Sequence, residues 1–404
     1  MRIYISGISG TAMGPLALMA KDAGMDVCGS DLMENAVSKE LKEREIAYKI
    51  GPQDGKYLQE QYDNGGVDWF VYTSALPKDH AELKLAKKLG IKVTKRDEFI
   101  AHLIDEMHLK MVAVAGTHGK TTTTAMIVWG CQKLNIPISF SVGSTLGFAP
   151  AGQYTPGSEY FVYEADEYDR NFLHFHPWLA VITTVTYDHP DIYPTEEDYK
   201  VAFAKFIGQS KSTIVGEKVD SRLTLAGEAR RYDAMLAMRA LQKMTNASSD
   251  ELIEILNEFP GVGRRFERIA DGVYTDYAHH PEEIEATLQV AQDEVVRTGL
   301  KGVVAVYEPH QNTRQHEVRS GYKDAFVGVA KLFWLPTYLT RENPDLDVIS
   351  PSQFIDELSN AELAEVAEAD DRLANKLKEY QKDGYLILLM TAGPADKWYR
   401  KIFN

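Results

Sequence analysis

The sequence predicts an α/β protein of three domains built on parallel sheets. Short apolar runs alternate with longer helical stretches, a strand followed by a glycine turn and a helix begins twice, and a proline–glycine breaker interrupts the chain later. Its 404 residues fit two or three domains, at ~150 residues each. In chain order, strands are expected at Arg2–Ser6, Met25–Gly29, Trp69–Thr73, Met111–Ala115, Tyr160–Glu164, Leu179–Val185, Gly302–Tyr307, Lys331–Leu335 and Tyr385–Thr391, each a short apolar run. The glycine-turn starts near Arg2 and Met111 put a first boundary within 102–109. The breaker Phe259-Pro260-Gly261-Val262-Gly263, after a helix expected over Asp250–Glu258, puts a second. Domains are therefore expected at residues 1–106, 107–260 and 261–404. The acidic, alanine-rich stretch Gln353–Gln381 has the apolar spacing of solvated helices packed on a sheet.

Composition excludes several classes. Hydrophobic residues make up 44% and charged residues 25%, the balance of a globular chain. With 59 acidic against 44 basic residues the net charge is −15, which disfavours nucleic acid and anionic membranes as partners. An anionic small substrate then needs local Arg, Lys, metal ions or helix N-termini. Cys28 and Cys131 are the sole cysteines and lack ligand spacing, so neither a disulfide scaffold nor a cysteine zinc site is expected. There is no membrane-length apolar run, and Met1–Gly7 enters a strand directly without a signal-peptide pattern. A cytoplasmic protein is expected.

The strongest chemical signal is Val114-Ala115-Gly116-Thr117-His118-Gly119-Lys120-Thr121-Thr122, between a buried strand and a helix over Thr123–Lys133. Glycines let backbone N–H groups close around phosphate oxygens, and the helix N-terminus favours their charge. Lys120 is expected on the β- and γ-phosphates of ATP and the Thr121 hydroxyl on Mg²⁺. The loop is a variant, because Val114 stands where the usual first glycine would be.

Further constellations follow. Gly7-Ile8-Ser9-Gly10-Thr11-Ala12-Met13-Gly14 departs from the dinucleotide spacing at Ser9 and Ala12, so a NAD reading is weak. It still makes a pyrophosphate-type turn at a helix start, with Asp31 placed to accept from a hydroxyl. Glu164-Ala165-Asp166-Glu167-Tyr168-Asp169 ends a strand, and alternation puts Glu164 and Asp166 on one face, oxygen ligands suited to Mg²⁺. Glu167 and Asp169 read as a solvated face. Arg264 and Arg265, after flexible glycines, could place a guanidinium on a γ-phosphate as a domain closes. Asp276-Tyr277-Ala278-His279-His280-Pro281 precedes a helix with Pro281 at its first position and His280 as its cap.

Gly116-Thr117-His118-Gly119-Lys120-Thr121-Thr122 resembles the signature of the Mur ligases, the ATP-dependent amino-acid ligases of peptidoglycan precursor synthesis, and the resemblance covers nearly the whole chain. It implies an N-terminal Rossmann-like domain for a UDP-sugar, a central P-loop ATPase domain and a C-terminal Rossmann-like domain. It places the UDP-sugar against Gly7, Ser9, Gly10, Thr11, Ala12, Met13 and Asp31, with Ser74 in a second loop. ATP falls to Gly116, Thr117, His118, Gly119, Lys120, Thr121 and Thr122, with Arg264 or Arg265, Asp276, His279 and Arg314. The metal falls to Thr121, Glu164 and His189, and His174 lines the substrate cleft. Asp191 remains a surface residue. UDP-N-acetylmuramate and an amino acid or short peptide are the implied substrates, and a monomer or weak dimer the implied state.

Within the family, Phe172-Leu173-His174, Gly263-Arg264-Arg265-Phe266 and the loop Glu308–Arg314 lean towards L-alanine addition. Gly10–Gly14 and Tyr168 lean towards joining a recycled murein tripeptide to the same sugar nucleotide. Three departures stand out. Arg230 and Asp233 replace paired asparagines of which one reads the adenine in the family, Thr184 replaces an asparagine before His189, and the connection Ser210–Ala226 is short. A non-catalytic nucleotide-binding module is the alternative of another class. Lys205 lies in the neighbourhood of a lysine that some relatives carbamylate.

Overall fold

Strands buried on both faces read as unbroken apolar runs, and Arg2–Ser6, Lys110–Ala115 and Leu386–Thr391 are buried along nearly their whole length. The computed structural model describes residues 1–35, 37–73, 76–340 and 342–403. The first sheet holds β1 (Arg2–Ser6), β2 (Asp26–Asp31), β3 (Ala47–Ile50), β4 (Trp69–Tyr72) and β5 (Lys92–Lys95), ordered β3-β2-β1-β4-β5 with all neighbours parallel. The second holds β6 (Lys110–Ala115), β7 (Ile138–Ser141), β8 (Gly152–Gln153), β9 (Tyr160–Glu164), β10 (Leu179–Ile182) and β11 (Thr213–Val215), ordered β11-β10-β6-β9-β7-β8. The third holds β12 (Glu267–Ala270), β13 (Val273–Asp276), β14 (Val303–Glu308), β15 (Val329–Trp334), β16 (Ala364–Val366) and β17 (Leu386–Thr391), ordered β12-β13-β17-β14-β15-β16. Only β7–β8 and β12–β13 are antiparallel among the described pairs. The fold is α/β with parallel-dominated sheets.

Contacts divide the chain into two units, Met1–Leu223 with Tyr232–Pro260, and Thr224–Arg231 with Gly261–Asn404. In the first unit one apolar core runs through both of its sheets. The helix Arg96–Glu106, where the sequence suggests a boundary, contributes Phe99, Ile100 and Leu103 to it alongside Met111 and Phe161. Gly152 lies so close to the helix Met13–Asp22 that a Cβ there would fall 2.2 Å from the Pro15 carbonyl oxygen. In the second unit the sheet carries an apolar cluster on each face, one around Tyr307, Tyr322 and Trp334, the other around Leu377, Ile387 and Tyr399. The Gln353–Gln381 stretch is not helical throughout: it holds part of a short helix (Pro351–Ile355), then β16, then most of the helix Asp371–Lys382, whose Leu373 and Leu377 are buried. Among the described residues no helix is long and apolar enough to cross a membrane.

Candidate active site

The phosphate loop joins β6 to the helix Lys120–Lys133, and two glycines shape it. Gly116 has φ 142° and Gly119 φ 82°, values that L side chains resist. A Cβ on Gly116 would fall 2.1 Å from Thr183 Oγ1. The loop is pinned to the end of β10. The Thr117 N–H donates to the Thr184 carbonyl at 2.7 Å and the His118 N–H to Thr184 Oγ1 at 3.0 Å, while Thr183 Oγ1 donates to the His118 carbonyl at 2.5 Å. Thr117 Oγ1 donates to the Thr186 carbonyl at 2.7 Å and meets Tyr199 Oη at 2.9 Å. Thr184, a departure in the sequence, thus serves as a strut of the loop. Asp233, another departure, lies against it: a Cβ on Gly119 would fall 2.3 Å from Asp233 Oδ1. Thr122 is half-buried in the first helical turn.

Two carboxylates divide the loop's side chains between them. Thr121 Oγ1 donates to Glu164 Oε1 at 2.8 Å, and the Gly143 N–H holds Glu164 Oε2 at 3.0 Å. Lys120 Nζ lies 2.9 and 3.1 Å from the Glu167 oxygens and donates to the Gly116 carbonyl at 2.5 Å. His189 Nε2 is 3.6 Å from Glu167 Oε1 and 3.6 Å from Asp188 Oδ2. The candidate metal residues therefore separate: Thr121 meets Glu164, whereas His189, in a left-handed conformation at φ 59°, turns its ring to Glu167. Glu167, read in the sequence as part of a solvated face, is corrected to a buried residue, 1% exposed, at the centre of the charged cluster. The chain leaves its strand at Glu164 and winds into the 3-10 turn Tyr168–His174, so strand alternation no longer applies. Asp169 pairs with Lys95.

Burial by itself would lower the pKa of the Lys120 ammonium, but Glu167, Asp166 and Glu164 outweigh it and the net shift is upward. Burial would raise Glu167, and Lys120 and His189 reverse this to a net lowering. His189 is raised in spite of burial, by Glu167 and Asp188. Asp166 is raised by burial and by Glu167. The cluster favours the charged forms of the lysine, the histidine and Glu167. Hydroxyl and carboxylate oxygens at Thr121 and Glu164 are hard donors of the kind Mg²⁺ takes. His174 is exposed at the end of its turn and, among the described residues, makes no hydrogen bond to this cluster. Lys205 is exposed in the last turn of the helix Glu196–Gly208.

In the first sheet the strand order reverses between β1 and β4, the point beyond whose strand carboxyl ends open α/β sheets bind ligands in a crevice. The Gly7–Ala12 loop follows β1 there. Ser9 donates to Asp31 Oδ2 through its N–H at 2.9 Å and its hydroxyl at 2.7 Å, and the Leu32 N–H donates to Oδ1 at 2.7 Å. Asp31 thus accepts from a hydroxyl and two backbone N–H groups and braces the loop. Ser9 and Met13 are buried, Gly7, Gly10 and Ala12 half-buried, and Thr11 exposed. Ser74 lies outside the described residues.

In the second unit, Asp276 is 6% exposed and accepts from the Phe266 N–H at 2.6 Å, the Ala278 N–H at 2.7 Å and Thr287 Oγ1 at 3.2 Å. Burial raises its pKa. Its side chain fastens the turn before the helix Pro281–Thr298. Arg264 donates to the Thr391 carbonyl at 2.5 Å, and the guanidiniums of Arg264 and Arg265 lie 4.7 and 5.0 Å from the Tyr277 ring. His279 Nδ1 is 3.2 Å from Glu283 Oε2, and His280 is the cap of the helix, as expected. The sequence reading missed a buried chain that joins two loops. Tyr307 Oη donates to the His279 carbonyl at 3.2 Å and meets Tyr322 Oη at 2.7 Å. Tyr322 donates to Gln315 at 2.7 Å, and Gln315 donates to the His310 carbonyl at 3.0 Å. Arg314 is half-buried beside Gln315.

Backbone strain marks the same loops. Nine described non-glycine residues have positive φ. Glu45, His108 and Asn135 follow helix ends, where this is ordinary. Asp169, Arg170, His189, Arg264, Phe266 and Gln311 lie in the candidate loops, where roughly 1–3 kcal/mol apiece persists only if the surroundings enforce it.

The chain matches the Mur ligase family catalytic domain over residues 2–108 and the Mur ligase middle domain over 114–235. It is 31% identical to a UDP-N-acetylmuramate–L-alanine ligase of Carboxydothermus hydrogenoformans, covering 97% of this chain and 94% of that one. It is 30% identical to the enzyme of the same name from Mycobacterium marinum, over 85% and 82%. Among solved structures, a UDP-N-acetylmuramate–alanine ligase of Thermotoga maritima superposes with a TM-score of 0.78 at 23% identity, over 100% and 98%. A murein peptide ligase of Psychrobacter arcticus gives 0.67 at 22%, over 100% and 98%.

Proposed function

The chain belongs to the Mur ligase family, and from that premise we propose that it joins L-alanine to the lactyl carboxylate of UDP-N-acetylmuramate with cleavage of ATP to ADP and phosphate. The observation that carries the ATP half is the loop in which Lys120 and Thr121 each meet a separate carboxylate. The full-length likeness to L-alanine ligases supports the choice of amine. In this reading the substrate carboxylate takes the γ-phosphoryl group, and the alanine amine then displaces phosphate from the acyl phosphate. Lys120 leaves Glu167 for the phosphates and stabilises charge as it develops on them. Thr121 and Glu164 would hold Mg²⁺, which neutralises phosphate charge when bound. The Gly7–Ala12 loop and the N-terminus of the helix Met13–Asp22 take the pyrophosphate of the sugar nucleotide. Arg264 or Arg265, His279 and Arg314 supply nucleotide contacts from the C-terminal domain. Phosphate release with ATP, Mg²⁺ and UDP-N-acetylmuramate, with L-alanine, glycine, L-serine or murein tripeptide added in turn, tests the proposal. Release driven by L-alanine supports it; release driven by tripeptide alone moves the chain to recycling, and none at all leaves a binding module.

A further inference from the structure

Glu82 is 1% exposed in the first turn of the helix Ala81–Lys88, and among the described residues no cation pairs with it. Its Oε1 accepts from Tyr4 Oη at 2.6 Å and Ser30 Oγ at 2.6 Å. Its Oε2 accepts from Ser6 Oγ at 2.7 Å and, at 3.4 Å, from Gln53 Nε2, which also donates to Ser30 Oγ at 2.9 Å and Ser6 Oγ at 3.1 Å. A carboxylate buried without a cation is costly, and a neutral side chain of the same volume would pack more cheaply. The donors show what the carboxylate organises. Ser6 is the last residue of β1, directly before Gly7, and Ser30 lies directly before Asp31. The Ser30 carbonyl accepts the N–H groups of both Gly7, at 2.8 Å, and Ile8, at 3.1 Å. Gln53 belongs to the loop after β3, and Glu82 itself sits on the helix that follows β4. One carboxylate therefore ties together four segments at the point where the strand order reverses.

We propose that Glu82 is a positioning residue for the sugar nucleotide. It fixes the Gly7–Ala12 loop in register with the helix that follows β4, so that a ligand at this end of the sheet finds the loop in place. This rests on the reading that the crevice takes UDP-N-acetylmuramate. The effect should therefore fall on one substrate. In the full-length protein, E82Q keeps the volume but presents an amide to groups that already donate. We expect its KM for UDP-N-acetylmuramate to rise about tenfold, the size of a lost hydrogen bond to a charged group, with KM for ATP and kcat within about twofold of wild type. S30A frees from Glu82 the residue whose carbonyl holds Gly7 and Ile8, leaves the Ser6 contact in place, and should move the same parameter in the same direction by a smaller amount. Y4F removes a donor that holds no loop and should leave it unchanged. An unchanged sugar-nucleotide KM in E82Q, a parallel rise in the ATP KM, or Y4F equal to S30A overturns the inference. Should E82Q fail to fold, S30A against Y4F decides alone. A wild type that UDP-N-acetylmuramate does not saturate refutes the reading of the crevice and this inference with it, whereas wild-type saturation with normal variants refutes this inference only.

Discussion

Replacing Glu167 with glutamine should make the free protein less stable and its grip on nucleotide stronger. Glu167 Oε2 lies 2.9 Å from Lys120 Nζ, where two unit charges attract by roughly 6 kcal/mol at an effective dielectric of about 20. Much of this is offset by desolvation. A glutamine oxygen keeps one acceptor, and the Gly116 carbonyl still takes the lysine. The net loss on removing one partner of a buried pair is then about 3 kcal/mol. In a unit of this size that lowers the melting temperature by on the order of 5–10 °C. With nucleotide bound, a phosphate satisfies Lys120 whichever residue is at 167, so most of the deficit disappears. Linkage then requires ADP to bind E167Q more tightly, by about tenfold or more. Calorimetric titration with ADP in the absence of divalent ion isolates the lysine–phosphate exchange, and a thermal melt reads the free protein. Weaker ADP binding, or an unchanged melting temperature, would refute Glu167 as the resting partner of Lys120.

Three further outcomes are expected. A Cβ on Gly143 would fall 2.8 Å from Glu164 Oε2, so Gly143→Ala should displace Glu164 from Thr121 and raise the Mg²⁺ concentration for half-maximal turnover several-fold; an unchanged Mg²⁺ titration would remove Glu164 from the metal site. Gly116→Ala, whose Cβ would meet Thr183 Oγ1 at 2.1 Å, should abolish detectable ATP binding, and normal binding would mean the loop has another working conformation. Burial holds Glu308 above its ordinary pKa of 4.5 despite donation from Thr391 and the Ala395 N–H. Its folded form binds a proton more tightly than the unfolded chain, so its contribution to stability falls as pH rises from 4.5 through the raised value. Both bonds fall on Oε2, which a glutamine oxygen can replace. Glu308→Gln should therefore melt higher than wild type at neutral pH, with the gain closing near the ordinary carboxylate range, and a gain that grows on acidification would contradict this.

Legibility in the sequence followed burial. β1, β6, β9 and β17 are apolar runs covered on both faces, and their patterns admit little else. β3 and β5 are edge strands of four residues with exposed lysines at Lys49 and Lys92, and nothing in Ala47–Ile50 or Lys92–Lys95 marks them out. β13 is interior and wholly buried, but it is four residues long and ends in Asp276, which drew attention as a site residue. The phosphate loop was visible because glycine geometry and a following helix are local properties. Glu167 was not, because its burial depends on where the chain leaves the strand. Asp276 depends on the turn at Phe266, ten residues away and itself at φ 49°. The Tyr307–Tyr322–Gln315 chain spans a sheet and a helix, so no motif spacing announces it.

The most direct test of the account is phosphate release at saturating ATP, Mg²⁺ and UDP-N-acetylmuramate, with and without L-alanine, in wild type beside Lys120→Met. The account predicts release that depends on L-alanine in the wild type and its loss in the variant. Release that ignores L-alanine, or that survives without Lys120, would contradict it.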